Sequence, residues 1–131
     1  MQTITPYLFY EDAAAALDFL SRAFGFEEVM RSAMPGGRVA HAEMRLGDGA
    51  LFLGAPGDGY RGPRSLGTTT CCIYGYADDV DAHCERARAA GAEIADEPED
   101  QEYGDRRYHA RDPEGHDWYF AQRPAEGGRD A

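Results

Sequence analysis

A register of 66 residues runs through the chain and constrains the fold more than any other feature. Gly25 and Gly91 stand 66 positions apart, as do Gly49 and Gly115. The same offset pairs Tyr10 with Tyr76, Arg22 with Arg88, Ala23 with Ala89, Glu27 with Glu93 and Arg45 with Arg111. It also lays Gly49-Ala-Leu-Phe-Leu53 on Gly115-His-Asp-Trp-Tyr119. Each half reads as a strand, a helix and three strands. A chain that repeats an element order in this way is expected to build two similar modules.

In the first half, 3–10 reads as a strand and Asp12 as the N-cap of a helix over 13–24. Leu17, Leu20 and Phe24 recur there at helical spacing, and Gly25 ends the helix. Strands follow over 26–34, 38–46 and 50–55. Turns fall at Pro35-Gly36-Gly37 and Gly47-Asp48-Gly49. In the second half, 69–76 reads as a strand. Asp78 or Asp79 caps a helix to Ala90 with the stripe Val80, Cys84 and Ala87. A short strand over 92–95, an acidic loop over 96–105 and strands over 106–111 and 116–122 complete it. The closing hairpin turns at Asp112-Pro113-Glu114-Gly115, and Trp118, Tyr119 and Phe120 then alternate faces. Trp118 and Phe120 are expected to face a helix and Tyr119 a cavity. The expected class is α+β, two βαβββ modules in a single domain over 1–131. Module one is 3–55, a linker 56–67, module two 68–122 and a polar tail 123–131.

Composition removes several function classes. A length of 131 residues suits one domain. The net charge of -11 argues against a nucleic-acid partner. It serves solubility or favours a cationic ligand. All 13 basic residues are arginine, so Schiff-base chemistry through lysine is out. There is no apolar run of spanning length and no basic-then-apolar leader, so no membrane partner is expected. Three cysteines, two of them adjacent at Cys71 and Cys72, suggest no disulfide framework but a reduced, cytoplasmic protein. Ser21, Ser32 and Ser65 lie in no nucleophile elbow, and no phosphate loop occurs. Cys72 with His109 is a weak nucleophile–base candidate.

Three stretches carry a resemblance. They are Tyr10-Glu-Asp-Ala-Ala-Ala-Ala-Leu-Asp-Phe-Leu-Ser-Arg-Ala-Phe-Gly-Phe26, then Ala77-Asp-Asp-Val-Asp-Ala-His-Cys-Glu-Arg-Ala-Arg-Ala-Ala-Gly-Ala92, and last Tyr103-Gly-Asp-Arg-Arg-Tyr108 with Arg111-Asp-Pro-Glu-Gly-His116. With the doubled element order, they resemble the glyoxalase/bleomycin-resistance/dioxygenase superfamily, the vicinal oxygen chelate fold. The resemblance implies two modules whose sheets curl around a cup, paired as a homodimer. It covers metal-dependent isomerases, lyases and dioxygenases and also metal-free proteins that sequester antibiotics.

Metal enzymes of this fold draw His, Glu or Gln ligands from the first and last strand of each module. Those positions fall near Thr5, Leu53, Cys72 and Tyr119, with the strict 66-residue register choosing Cys71 in place of Cys72, a set unsuited to the usual ions. No metal, other cofactor or catalytic residue is therefore assigned. A displaced His41–Glu43–His109 zinc site is the alternative, against plain hydrogen bonding across the cup wall. By the family's strand order the cup is lined by Tyr7, Phe9, His41, Glu43, Tyr74, Arg107, His109 and Tyr119, with Thr5, Cys72 and Tyr76 on the same faces of the first and fifth strands. This aromatic lining suits a small, flat organic ligand, with cationic aromatics favoured by the acidity. Some of these tyrosines could instead pack or lie at a dimer seam. His83 is expected at the surface and His116 in support of the hairpin. Tyr60, Arg61 and Arg64 belong to a linker or a lid. The reading is a metal-free small-molecule-binding protein of the bleomycin-resistance type. The alternative is a metal-dependent glyoxalase-like lyase or dioxygenase with displaced ligands.

Overall fold

The computed structural model describes residues 2–124; the expected tail beyond Pro124 lies outside the described residues. Strand β1 (Tyr7–Phe9) leads into helix α1 (Ala13–Phe24), followed by β2 (Glu27–Ala33), β3 (Val39–Leu46) and β4 (Gly49–Gly54). A short helix α2 (Pro63–Leu66) interrupts the linker. The second module comprises β5 (Cys72–Tyr76), α3 (Val80–Ala89), β6 (Glu93–Asp100), β7 (Arg106–Arg111) and β8 (Asp117–Gln122). The two sheets have the orders β1-β4-β3-β2 and β5-β8-β7-β6. In each, the first strand pairs parallel with the last of its module, and the rest is antiparallel.

The helices start where the sequence caps them. Asp12 accepts from the Ala15 amide at 3.1 Å, and Asp79 accepts from the Ala82 amide at 3.1 Å. Helix α1 buries Ala16, Leu17, Leu20, Ala23 and Phe24, and α3 buries Val80, Cys84 and Ala87. These stripes, with Leu8, Met44, Leu51 and Leu53 from the first sheet and Tyr108, Trp118 and Phe120 from the second, form one core. The rings of Phe24 and Phe26 lie 5.2 and 5.6 Å from that of Trp118, so the modules meet helix side to helix side. Trp118 and Phe120 thus face the helices, as expected.

The closing hairpin locks the modules together. Buried Asp112 accepts from Tyr10 Oη at 2.6 Å, Trp118 Nε1 at 3.0 Å and the amides of Glu114 and His116. Glu114 accepts from the amides of Glu11 and Asp12 at 2.6 and 2.8 Å, where α1 begins. The His116 ring donates through Nε2 to the Phe9 carbonyl at 2.8 Å, tying the hairpin to β1. Gly115 has φ +91°, and a Cβ there would stand 2.8 Å from the Arg64 amide nitrogen, so only glycine fits this turn.

Four details differ from the sequence reading. Strands β1 and β5 are shorter than expected. The acidic stretch 96–100 is strand, not loop: Glu99 and Asp100 pair with Arg107 and Arg106, so opposite charges stabilise the ladder. Pro98 is tolerated because β6 is an edge strand. His83 is half-buried rather than freely exposed; its ring is packed between α1 and the second sheet.

The fourth difference is a slip in the repeat. Tyr7 pairs with Phe52 and Tyr74 with Tyr119, so Phe52, not Leu53, is the counterpart of Tyr119. The first hairpin spends residues 46–49 between the Arg45↔Ala50 pair, whereas the second spends 112–116 between Arg111↔Asp117. One extra residue in that turn moves the offset to 67 in the last strand, and one residue reverses a side chain's face. Leu53 is fully buried in the core and Phe52 is on the open face. Among the described residues no helix is long and apolar enough to cross a membrane.

Candidate functional site

Alternation along each strand gives each sheet a second face, turned away from the shared core. On the first sheet this face carries Tyr7 and Phe9 from β1, His41 and Glu43 from β3, and Phe52 from β4. Tyr7 and Phe9 are 43% and 49% exposed although Leu8 between them is buried. The Tyr7 hydroxyl lies 2.8 Å from His41 Nδ1, and His41 Nε2 lies 3.0 Å from Glu43 Oε2. Phe52 stands edge-on to both the Tyr7 and His41 rings, at 6.1 and 5.3 Å. Tyr60 comes from the linker to pack edge-on against Phe9, and its hydroxyl donates to the Phe9 carbonyl. Of the expected lid residues, Tyr60 thus borders this face. Arg64 instead donates to the Pro113 carbonyl beneath the closing hairpin.

The second sheet's outer face carries Tyr74 and Tyr76 from β5, Tyr119 from β8, and Arg107 and His109 from β7. Tyr119 stacks on His109 at 4.3 Å with the rings 9° apart, and the Arg107 guanidinium lies 4.9 Å from the Tyr119 centroid. Tyr74 lies near-parallel to Tyr119 at 6.2 Å and donates to buried Asp105 at 3.1 Å. Burial, then hydrogen bonds with Tyr103 and Asp105, hold the Tyr74 hydroxyl well above the usual phenol range. His109 is buried between Asp117, 2.7 Å from Nε2, and Asp96, 3.3 Å from Nδ1.

The eight residues named from sequence therefore form two sets of four. Tyr7, Phe9, His41 and Glu43 share one sheet; Tyr74, Arg107, His109 and Tyr119 share the other. Among the described residues no ring contact or hydrogen bond joins the sets, because helices and core lie between them. Sequence reasoning missed Phe52, Tyr103 and Asp105. The strand pattern places Phe52 opposite Tyr7 once the one-residue slip is known. Tyr103 and Asp105 sit on the bend between β6 and β7, where no periodicity marks a side chain's direction.

The donor set does not fit the metal that the fold family implies. The relevant strand positions hold Thr5, Phe52, Cys72 and Tyr119, none of them an imidazole or carboxylate. His41 and Glu43 lie on a different sheet from His109, so the displaced site does not assemble within one chain. Among the described residues, Cys84, Glu85 and Glu97 are the group whose ligand atoms cluster tightly. The Arg88 guanidinium already binds both of those carboxylates and touches the Cys84 sulfur. Burial pushes the Cys84 thiol up to about 11, which disfavours the thiolate a metal needs.

This architecture is the vicinal oxygen chelate fold: paired βαβββ modules, each with a helix on one side of its sheet and an open face on the other. The chain belongs to the glyoxalase/bleomycin resistance protein/dioxygenase superfamily, whose sequence model matches residues 2–120. It is 37% identical over 124 residues to the uncharacterized protein Mb0911c of Mycobacterium bovis, covering 91% of this chain and 82% of that one. Among solved structures it resembles TioX from Micromonospora sp. ML1, with a TM-score of 0.74 and 32% identity over 93% of this chain and 98% of that one. A mutant glyoxalase I from Zea mays superposes with a TM-score of 0.75 at 20% identity, covering 92% of this chain and 44% of that one. That last likeness is one of fold.

Proposed function

We propose that this protein is a metal-free small-molecule-binding protein that takes a flat aromatic ligand into an aromatic cup, sequestering it as bleomycin-resistance proteins do. The observation that carries the reading is the half-exposure of Tyr7, Phe9, Tyr74 and Tyr76 on outer faces backed by a fully packed core. Exposed aromatics gathered in this way mark a binding surface, since water gains nothing from them. The cup is completed by a second copy: the Tyr7 face of one protomer meets the Tyr119 face of its partner. Strands β1 and β5 are sheet edges, which pairing would cover. Glu43 on the first face and the net charge of -11 favour a ligand bearing positive charge.

A thermal-shift series tests this. Proflavine, a planar cation, should raise the melting temperature. A ligand of the folded state at 100 times its Kd contributes about 2.7 kcal/mol, several degrees for a domain of this size. Tyr7→Ala and Tyr119→Ala should each reduce the shift. Zinc, nickel and manganese should leave the melting temperature unchanged. A metal-induced rise that disappears in His41→Ala would overturn the metal-free reading and favour the metal-dependent enzyme.

A further inference from the structure

The first face contains a hydrogen-bonded chain that runs from the Tyr7 hydroxyl through the His41 ring to Glu43. An ionised Glu43 carboxylate only accepts, so His41 Nε2 carries the hydrogen across the 3.0 Å contact. In a neutral imidazole the other nitrogen is then bare. In that tautomer His41 Nδ1 accepts from the Tyr7 hydroxyl at 2.8 Å. The Tyr7 oxygen has spent its one hydrogen inward and keeps its lone pairs for the open face. Donation into a chain that ends on a carboxylate polarises the hydroxyl and makes its oxygen a stronger acceptor.

The surroundings hold that oxygen in place. Gly54 lies beneath it: a Cβ at Gly54 would come 2.9 Å from Tyr7 Oη and 2.2 Å from the Ala40 carbonyl oxygen. Phe9 and Phe52 stand edge-on to the Tyr7 ring at 5.6 and 6.1 Å and wall the site with apolar surface. The site thus offers an acceptor at the foot of an aromatic wall.

We infer that the Tyr7–His41–Glu43 chain is the polar recognition element for a ring hydroxyl, and that this face takes phenol-class ligands whose O–H donates to the Tyr7 oxygen. This rests on the aromatic-ligand reading above and specifies the ligand's polar group. An acidic O–H suits the site better than a weakly acidic aromatic N–H. As its proton moves to the Tyr7 oxygen, the Tyr7 proton passes to His41 Nδ1. The O–H bonding pair stays on the ligand as a phenolate, and the imidazolium is held by Glu43. No bond other than these O–H and N–H bonds changes, and no co-reactant is needed. Tyr7 touches the ligand; His41 and Glu43 are positioning residues.

The test compares 4-nitrophenol with 4-nitroanisole, which keeps the ring and lacks the donor. Titrated into the full chain by ligand-detected NMR, the phenol should bind about tenfold more tightly, the worth of one well-made hydrogen bond. Tyr7→Phe should remove that preference while retaining the ring. Glu43→Gln should reduce the phenolate absorbance of the bound probe more than it reduces binding. Nitrogen-15 spectra of the free protein should show His41 protonated at Nε2 and bare at Nδ1. Equal affinity for both probes, or the opposite tautomer, overturns this inference and leaves the aromatic-ligand reading standing. Binding of neither probe overturns this inference and removes support from that reading as well.

Discussion

His83 shows how far a single side chain can depart from its sequence context. It stands in a helix rich in charge, which reads as a surface. Yet its ring stacks on Phe24, packs 4.3 Å from Phe120, accepts from the Tyr108 hydroxyl at 2.6 Å and donates to the Phe24 carbonyl at 3.1 Å. These partners come from three separate elements, so helix periodicity alone could not reveal them. Burial holds His83 below the ordinary imidazole value, against the smaller opposing pull of the Phe24 carbonyl. Protonation therefore favours the unfolded chain. The stability it confers is complete above the unfolded value of about 6.5 and is lost as pH falls through it toward the depressed folded value. Urea melts at descending pH should show this loss in the wild type, and His83→Gln should lack that component. Trp118 is a residue whose face the strand pattern did reveal. Trp118→Ala should cost about 3–5 kcal/mol in the same melts, whereas Tyr119→Phe on the outer face should stay within about 0.5 kcal/mol.

The strands and helices were mostly legible, because caps, glycine turns and alternating apolar residues write them locally. What local pattern could not show was the register between the repeats. The extra residue in the 112–116 turn serves the hairpin's second task. Asp112 must reach Tyr10 and Trp118 while Glu114 caps α1. A two-residue turn such as Gly47-Asp48 has no room for those contacts. Asp112→Ala leaves four donors with no acceptor and should cost more than about 3 kcal/mol, since each buried orphan carries its own desolvation penalty. Asp112→Asn keeps one acceptor oxygen and should cost less. Chemical denaturation of the two variants checks the ordering. Strand β4 is constrained at Gly54, where a Cβ would meet the Ala40 carbonyl oxygen at 2.2 Å. Gly54→Ala should therefore lower stability by about 1–3 kcal/mol, the usual cost of overpacking. It should also disturb the Tyr7 hydroxyl above it, which tyrosine NMR would report as loss of the Tyr7–His41 hydrogen bond.

At the scale of the whole molecule, the outer-face placement of the eight residues was readable from strand order, but their division between two sheets was not. That division depends on how the modules dock, and docking is set by the helix-side aromatics Phe24, Phe26 and Trp118 together with the Asp112 network. None of these lies on an outer face. With the helices between the sheets, Tyr7 and Tyr119 of one chain do not share a cup, so the reading proposed for the ligand site is one assembled between protomers. Mixing two defective variants tests this directly. In a heterodimer of Tyr7→Ala and Tyr119→Ala chains, one cup receives both lesions and the other receives neither. Each homodimer of a single variant instead has one lesion in every cup. Mixed and allowed to exchange, the two variants should recover intact proflavine sites, up to one per heterodimer, measured as tight-binding stoichiometry by calorimetry. Light scattering should first show a dimer of the 14.4 kDa chain at micromolar concentration. If the mixture binds no better than the average of its components while exchange is demonstrated, the cup is not built across the dimer. If the chain is monomeric and still binds proflavine through Tyr7, the first face is sufficient by itself and the shared cup must be abandoned.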